Sequence, residues 1–531
     1  MKKANIITAQ EAVNMIQDGS TLCTIGMSLV SCCETLLREV ERKYLEEGHP
    51  RDLTFLHTCG QAAMKKPFGI QHLAHEGLLK RIIGGHWGQA SEIMKLISEE
   101  KIEAFNLPQG QMANMFHSMA LREPGKLSKV GLGTFIDPRL EGGKMNQSAR
   151  DSGYDTVDIV EVAGQEYIRY KEVPIDTLFI RGTTADEFGN ITTDEEAMVL
   201  EVWPAVMATK RFGGKVICQV KNLARGGSLN PKMVTVPGCF VDAIVVCPNP
   251  MEEHRQTYSW FFDPAYSGQA KAPESAAAPA PSGIRKFIAR RAVMELEPDM
   301  AINIGTGIPN DVIGPIIAEE QVSNDVLITV ESGVYGGVPA ETIDFGISMN
   351  AMALVQHDRQ FEFYNGSGID CTFMGAGEMD ATGNVNSTRM GSMAPGAGGF
   401  IDITATAKNV IFCSTFTGKG LKVAFDEDGL HILQEGSVKK MVKEVQQISY
   451  NAKIARSNGQ KMFFVTERAV FQMTDEGPVL IEIAKGIDLQ KDVLDQMEFT
   501  PKISPDLKEI PTSLYCEGPF GLKQILDAKR G

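Results

Sequence analysis

No apolar run in this 531-residue chain approaches the ~20 residues that span a bilayer, so a membrane protein is not expected. The start, Met1-Lys2-Lys3-Ala4-Asn5, has two lysines but no apolar stretch behind them and does not read as a signal peptide. Positive charge is also short: 52 Lys and Arg stand against 67 Asp and Glu, for a net charge of −15. Nucleic-acid partners need a basic face, so none is expected, though a local basic pocket for a small polyanion stays open. The ten cysteines form no C-x-x-C pair and no Cys/His group with zinc spacing, so no metal site is expected. Several lie inside apolar runs such as Val216-Ile-Cys218 and Val245-Val-Cys247, and they read as small buried hydrophobes of a reducing, cytoplasmic compartment. No G-x-G-x-x-G follows a strand with an acid ~20 positions on, and no P-loop, G-x-S-x-G or H-E-x-x-H occurs.

What is present is an ordinary globular composition, 43% apolar and 22% charged, in a chain too long for one core. Gly268 to Gly283 is dominated by Ala, Pro, Ser and Gly and reads as an exposed linker. It divides the chain into 1–267 and 284–531, with 268–283 between. The two sides repeat each other. Ile175 to Asn190 matches Ile369 to Asn384 at an offset of 194, sharing Ile, Asp, Phe, Asp, Gly and Asn in register. Gly19-Ser-Thr-Leu-Cys-Thr-Ile-Gly26 resembles Pro298-Asp-Met-Ala-Ile-Asn-Ile-Gly305. Thr8 with Glu11 makes a capping box opening a helix over 9–16, and helical spacing runs from 284 to 296 and from 311 to 320. Strands are expected at 300–305, 325–330 and 410–413. Strands alternating with helices predict two similar, mostly parallel open α/β domains.

Glu331 follows the apolar run Asp325-Val-Leu-Ile-Thr-Val330 and precedes Ser332-Gly333. A carboxylate at the end of a buried strand sits where open α/β sheets bind ligands. It could serve there as base, metal ligand or nucleophile; the plainer reading is a helix-capping or surface glutamate.

The ordered series Asn303-Ile-Gly-Thr-Gly-Ile-Pro309, Val330-Glu-Ser-Gly-Val334, Gly396-Ala-Gly-Gly-Phe400, Thr417-Gly-Lys-Gly420 and Val465-Thr-Glu-Arg-Ala-Val-Phe471 resembles family I coenzyme A transferases. Closest in layout are the single-chain propionate/acetate enzymes. Pro108-Gln-Gly110 and the Asp186 to Asn190 turn extend the likeness to nearly the whole chain. The resemblance implies CoA exchange between short-chain acyl-CoA and a free short-chain carboxylate, with CoA as substrate and no permanently bound cofactor. Glu331 would form an acyl anhydride and then a glutamyl-CoA thioester. The side-chain amide of Gln109 and a backbone N–H near Gly398 and Gly399 would receive the developing oxyanions. Lys419, with Gly418 and Gly396, would contact CoA; Arg285, Lys286, Arg290 and Arg291 form a second basic cluster whose plainer reading is a solvated helix face. A homo-oligomer, dimer or tetramer, is implied as well.

This sequence departs from the family pattern in two places. Val330-Glu331-Ser332-Gly333 replaces the frequent Ser-Glu-Asn-Gly, and Ile25-Gly-Met-Ser-Leu29 is a poorer glycine loop, so Met27 and Leu29 are expected to make the acyl site bulkier. His86, in Gly84-Gly-His-Trp-Gly88, is read as structural because carboxylate chemistry needs no histidine. Two other functions fit the same fold: an acyl-CoA hydrolase admitting water to the same intermediate, and a non-catalytic ligand sensor.

Overall fold

In the computed structural model, which describes residues 3–64, 66–273, 280–340, 342–426 and 428–530, two parallel sheets are laid out on one plan. In the first half the strands run in the order Leu53–His57, Thr21–Thr24, Thr177–Asp186, Lys215–Ala224, Ala243–Val246. In the second the order is Leu327–Val330, Ala301–Ile304, Cys371–Gly375, Asn409–Cys413, Lys461–Val465. All these neighbours are parallel, and most of their apolar residues are buried on both faces, as a sheet covered by helices on two sides requires. The expected duplicated α/β architecture is the one observed.

The repeat holds down to single hydrogen bonds. Asp186 Oδ1 accepts from the N–H groups of Phe188 (2.9 Å) and Asn190 (3.0 Å). Asp380 Oδ1 accepts from those of Thr382 (2.8 Å) and Asn384 (3.0 Å). Gly189 and Gly383 take the left-handed conformation both turns need, with φ of +87° and +86°. Asp176 accepts from Thr21 N–H at 2.7 Å and Asp370 from Ala301 N–H at 2.9 Å, tying the first strand of each half to its neighbour.

Local boundaries are tighter than the sequence pattern suggests. The capping box forms, but its helix ends at Val13, not Ile16. The helix after the linker is Ile284–Val293, and the next is Ile308–Glu319, starting at the Gly307-Ile308-Pro309 corner where proline suits a first turn. Eight cysteines are buried as expected; Cys239 and Cys516 are exposed.

Linker residues 274–279 lie outside the described residues. The preceding stretch is anchored: Lys271 Nζ donates to the carbonyls of Asn350 (3.1 Å) and Ala351 (2.9 Å), and Ala272 N–H to Asn350 Oδ1 (2.8 Å).

The first half carries an addition. Leu79–Gly84 and Glu103–Asn106 extend its sheet, and the helix Gln109–Leu121 follows. This helix packs on Val202–Arg211 of its own half and on His357–Gly366 and Phe400–Thr406 of the other. It is buried on nearly every side, which explains its weakly amphipathic sequence. Among the described residues no helix is long and apolar enough to cross a membrane.

Candidate active site

The C-terminal ends of strands from both sheets converge on one cavity of about 250 Å³. Cys59 and Gly60 follow the strand Leu53–His57, His86 follows Leu79–Gly84 and Gln109 follows Glu103–Asn106; opposite them stand Thr306, Glu331 and Gly375. A loop from Pro395 to Gly399 closes one wall.

Glu331 is the first residue after Leu327–Val330, as expected. It is 6% exposed, and its Oε2 has no hydrogen-bond partner among the described residues. Burial pushes its carboxyl above the ordinary value; nearby His357 and the Asn303 amide act in the opposite direction. A buried carboxylate oxygen left unpaired is costly and is retained where the atom has another use.

The loop beside it belongs to the second half but is fastened to the first. Trp87 donates from its backbone to Pro395 O (2.9 Å) and from its indole to Ala394 O (2.7 Å). Asn106, fully buried, accepts from Ala397 N–H at 2.9 Å and donates to the carbonyls of Gly84 and Gly85. A Cβ on Gly396 would lie 2.3 Å from Asn106 Nδ2, at a φ of +91°, so only glycine fits. Gly398 N–H donates to Gly85 O at 2.7 Å, and Gln109 N–H donates to Gly398 O at 2.9 Å. The Gly398 amide is therefore occupied. Of the two amides the sequence offered as oxyanion donors, Gly399 is the one without an acceptor among the described residues, and a Cβ placed there would lie 3.7 Å from Glu331 Cγ.

Gln109 is brought to the same cavity, 3% exposed, at the first turn of its helix. Asp402 clamps that turn from the other half, accepting from Gly110 N–H and Gln111 Nε2, each at 2.8 Å. Burial raises the Asp402 carboxyl to about 6 against these donors.

Other expected residues fall elsewhere. Gly396 lines the cavity, but Gly418 and Lys419 do not; Gly418 belongs to the small ladder Thr417–Gly418 with Val438–Lys439, and Lys419 just after it is exposed with a φ of +52°. Met27 lines the cavity, whereas Leu29 faces a separate one with Phe68 and Arg181. Of the basic cluster only Arg285 is solvent-exposed; Lys286, Arg290 and Arg291 are buried, and all four have partners. Lys286 pairs with Glu319 (2.7 Å), Arg285 with Asp311 (2.6 Å) and Arg291 with Glu482 (2.6 Å), while Arg290 donates to the carbonyl of Cys516 (2.6 Å).

His86, read as structural from sequence, borders the cavity, and burial holds its pKa down at about 4, so the ring is neutral near pH 7. Two further groups, Lys440 and Cys59, were not singled out from sequence. Lys440 reaches the sheet edge beside Gly418 and donates to Ser414 Oγ (3.0 Å) and Thr415 Oγ1 (2.9 Å); burial lowers its pKa, with Glu467 opposing. Cys59 was findable. Cys23 pairs with Leu56 and Ile302 with Ile328, so with the two first strands aligned on Gly26 and Gly305, Cys59 occupies the position of Glu331. Among the described residues no group of three or more His, Cys, Asp or Glu side chains could hold a metal ion.

A coenzyme A transferase family model matches residues 6–247. Caffeate CoA-transferase of Acetobacterium woodii is 40% identical over 528 residues, covering 98% of this chain and 99% of that protein. Acetate CoA-transferase YdiF of Escherichia coli (strain K12) is 39% identical, covering 97% and 96%. The crystal structure of the acyl-CoA transferase YdiF apoenzyme from Escherichia coli O157:H7 superposes with a TM-score of 0.91 at 38% identity, covering 98% of this chain and 97% of that one. A second structure of that enzyme, a thioester complex with CoA, gives 0.90.

Proposed function

The chain belongs to the coenzyme A transferase family, and from that premise we propose that it moves CoA between short-chain acyl-CoA and free short-chain carboxylates by a ping-pong exchange through Glu331. One observation carries the reading: a buried carboxylate with an unpartnered oxygen borders the cavity where Gln109 and the Gly399 amide meet. Relatives named for acetate and for caffeate set the range of acids to be tried, and the Met27, Phe345 and Met374 wall favours a small apolar acyl group.

The steps need no proton carrier. Glu331 attacks the thioester carbon, the C–S bond breaks, and CoA leaves as thiolate from a mixed anhydride. The thiolate attacks the glutamyl carbon and releases the donor carboxylate, leaving a glutamyl-CoA thioester. An acceptor carboxylate then attacks that thioester, and the thiolate attacks the new acyl carbon, restoring Glu331. Each attack places negative charge on a carbonyl oxygen, which fixed donors stabilise without reorganising. Gln109 Nε2 and Gly399 N–H are the donors in this reading, and Gly396 keeps their loop close. Shelter from water protects both intermediates from hydrolysis. Lys440, more than Lys419, lies where a CoA phosphate could be received at the sheet edge. Residues 1–267 and 284–531 act as two domains, and the assembly is a homo-oligomer of the cytoplasm.

Incubation with acetyl-CoA or propionyl-CoA without acceptor, followed by borohydride trapping and peptide mapping, tests the reading. The expected result is a CoA adduct, or its reduction product, on the Glu331 peptide. A folded, CoA-binding protein that gives no adduct with any acyl-CoA overturns it.

A further inference from the structure

Behind Gln109, on the side away from the cavity, lies a buried chain of polar groups that the exchange chemistry does not use. His357, the first residue of the helix His357–Gly366, is fully buried. Its Nδ1 is 2.6 Å from Glu201 Oε2, and the other Glu201 oxygen accepts from Thr58 Oγ1. Its Nε2 is 2.8 Å from Gln109 Nε2, while Gln109 Oε1 lies on the side of Gly398. Glu201, Thr58 and Gln109 belong to the first half and His357 to the second, so the chain of contacts crosses between them.

We propose that His357, held by Glu201, is a positioning residue that turns the Gln109 amide so that its N–H groups face Glu331 and the glycine loop. The two ends of an amide have the same shape, so which end faces His357 is decided by hydrogen-bonding logic. A neutral ring with its proton on Nδ1 bonds Glu201 and presents a lone pair at Nε2. Gln109 must then spend an N–H on the ring and aim its oxygen at the cavity, the orientation in which the amide is placed here, with Oε1 3.6 Å from where a Gly398 Cβ would stand; the proposal is that the amide is turned over from it. An oxygen there repels a developing oxyanion. A doubly protonated ring donates from both nitrogens, so Gln109 gives it the oxygen and leaves the NH₂ group facing the cavity. The 2.6 Å contact with a buried carboxylate suits the charge-assisted bond of the second state.

The groups facing His357 favour that state. Cys59 Sγ is 3.8 Å from Nε2, and Glu201, Glu331 and Asp402 all act on the ring, while the adjacent Asp358 is engaged by His117 at 2.6 Å. Burial opposes the charged imidazole, but the Glu201 carboxylate favours it and its pKa lies well above the ordinary value; burial pushes the Cys59 thiol up too, so that group adds no negative charge at neutral pH. The donor-facing Gln109 is thus the form present at neutral pH.

The inference rests on the CoA-exchange reading, and kcat tests it. Glu201→Gln keeps the shape but removes the carboxylate that holds the proton on His357. This variant is expected to lose about tenfold or more in kcat at pH 7, approaching the ~10²-fold worth of one oxyanion donor, with KM for acyl-CoA little changed. In a Gln109→Ala background the same substitution adds no further loss, because His357 acts through the amide. Thr58→Val, which removes one hydrogen bond from Glu201, lowers kcat the same way by less and serves where Glu201→Gln does not fold. An unchanged kcat, a change confined to KM, or an equal further loss in the Gln109→Ala background overturns the inference. Failure of the exchange reading is seen separately, as absence of the Glu331 adduct in wild type.

Discussion

At the residue scale the site is a contest between burial and chemistry. Glu331 is pushed above the ordinary carboxyl value by burial, so its ionised form, the nucleophile of the proposed exchange, is lost as pH falls through that raised value. The acid limb of kcat is expected above the 4.5 of a free glutamate, and Glu331→Ala is expected to abolish exchange and adduct formation while circular dichroism and melting stay those of a folded protein. Gln109→Ala is expected to lower kcat by about 10²-fold, the usual loss for one oxyanion donor, measured with saturating donor and acceptor. Away from the cavity, Glu196 and Arg181 form a buried pair at 2.5 Å with side chains 3% and 2% exposed. Burial alone would raise the Glu196 carboxyl, but Arg181 and His254 outweigh it and bring it down to about 2. A depressed folded pKa means stability present above about 4.5 and lost as pH falls toward 2. Glu196→Gln strands the Arg181 charge and is expected to cost about 3–5 kcal/mol in urea unfolding at pH 7. The gap to wild type should narrow below pH 4.5; a gap that stays constant would remove the ionic contribution.

Among the elements, the loop from Pro395 to Gly399 is the part whose conformation the site depends on most. It is second-half chain bonded almost entirely to first-half groups, through Trp87, Asn106 and Gly85. Gly396→Ala drives a Cβ into Asn106 and strains a left-handed backbone. A strained residue of this kind costs on the order of 1–3 kcal/mol, and displacement of the Gly399 amide should lower kcat by about tenfold or more. Gly391→Ala is the control: its φ is +63°, but no atom lies within 4 Å of the added Cβ, so it should cost stability without the rate loss. Equal rate losses in the two variants would show that the Asn106 contact does not set the loop. The strand ends behave differently. They place Glu331, Gly305 and Gly375 by sheet register alone, since parallel neighbours fix each terminus relative to the next.

Over the whole molecule, the two repeats no longer have equal roles. The second supplies the carboxylate and the glycine loop; the first supplies the Gln109 helix, with Cys59 at the position symmetric to Glu331. Both halves line one cavity, and contacts through Trp87, Asn106, Asp402 and His357 join them. A protease site placed within 274–279 and cut is therefore expected to leave the halves co-eluting on gel filtration and active in exchange. Dissociation on cutting would show that the covalent link is required.

The residue order by itself determined the class of architecture, the duplication, the family resemblance and the position of Glu331, because each is written in local signals: strand patterning, a repeated Asp-x-x-Gly-Asn turn and short glycine motifs. Local rules also fixed the capping box of Thr8 and Glu11. What only the tertiary structure decided is pairwise and long-range. The basic residues from 285 to 291 have helical spacing that fits a solvated face, yet they meet Glu319, Glu482 and Asp311. The Gly398 amide is consumed by Gly85, which leaves Gly399, and no spacing along the chain contains that fact. Glu201 and His357 are single polar residues with no motif around them. Their proximity to Gln109 and Glu331 follows from the strand ends of two sheets converging on one cavity, a geometry set by packing between residues separated by hundreds of positions.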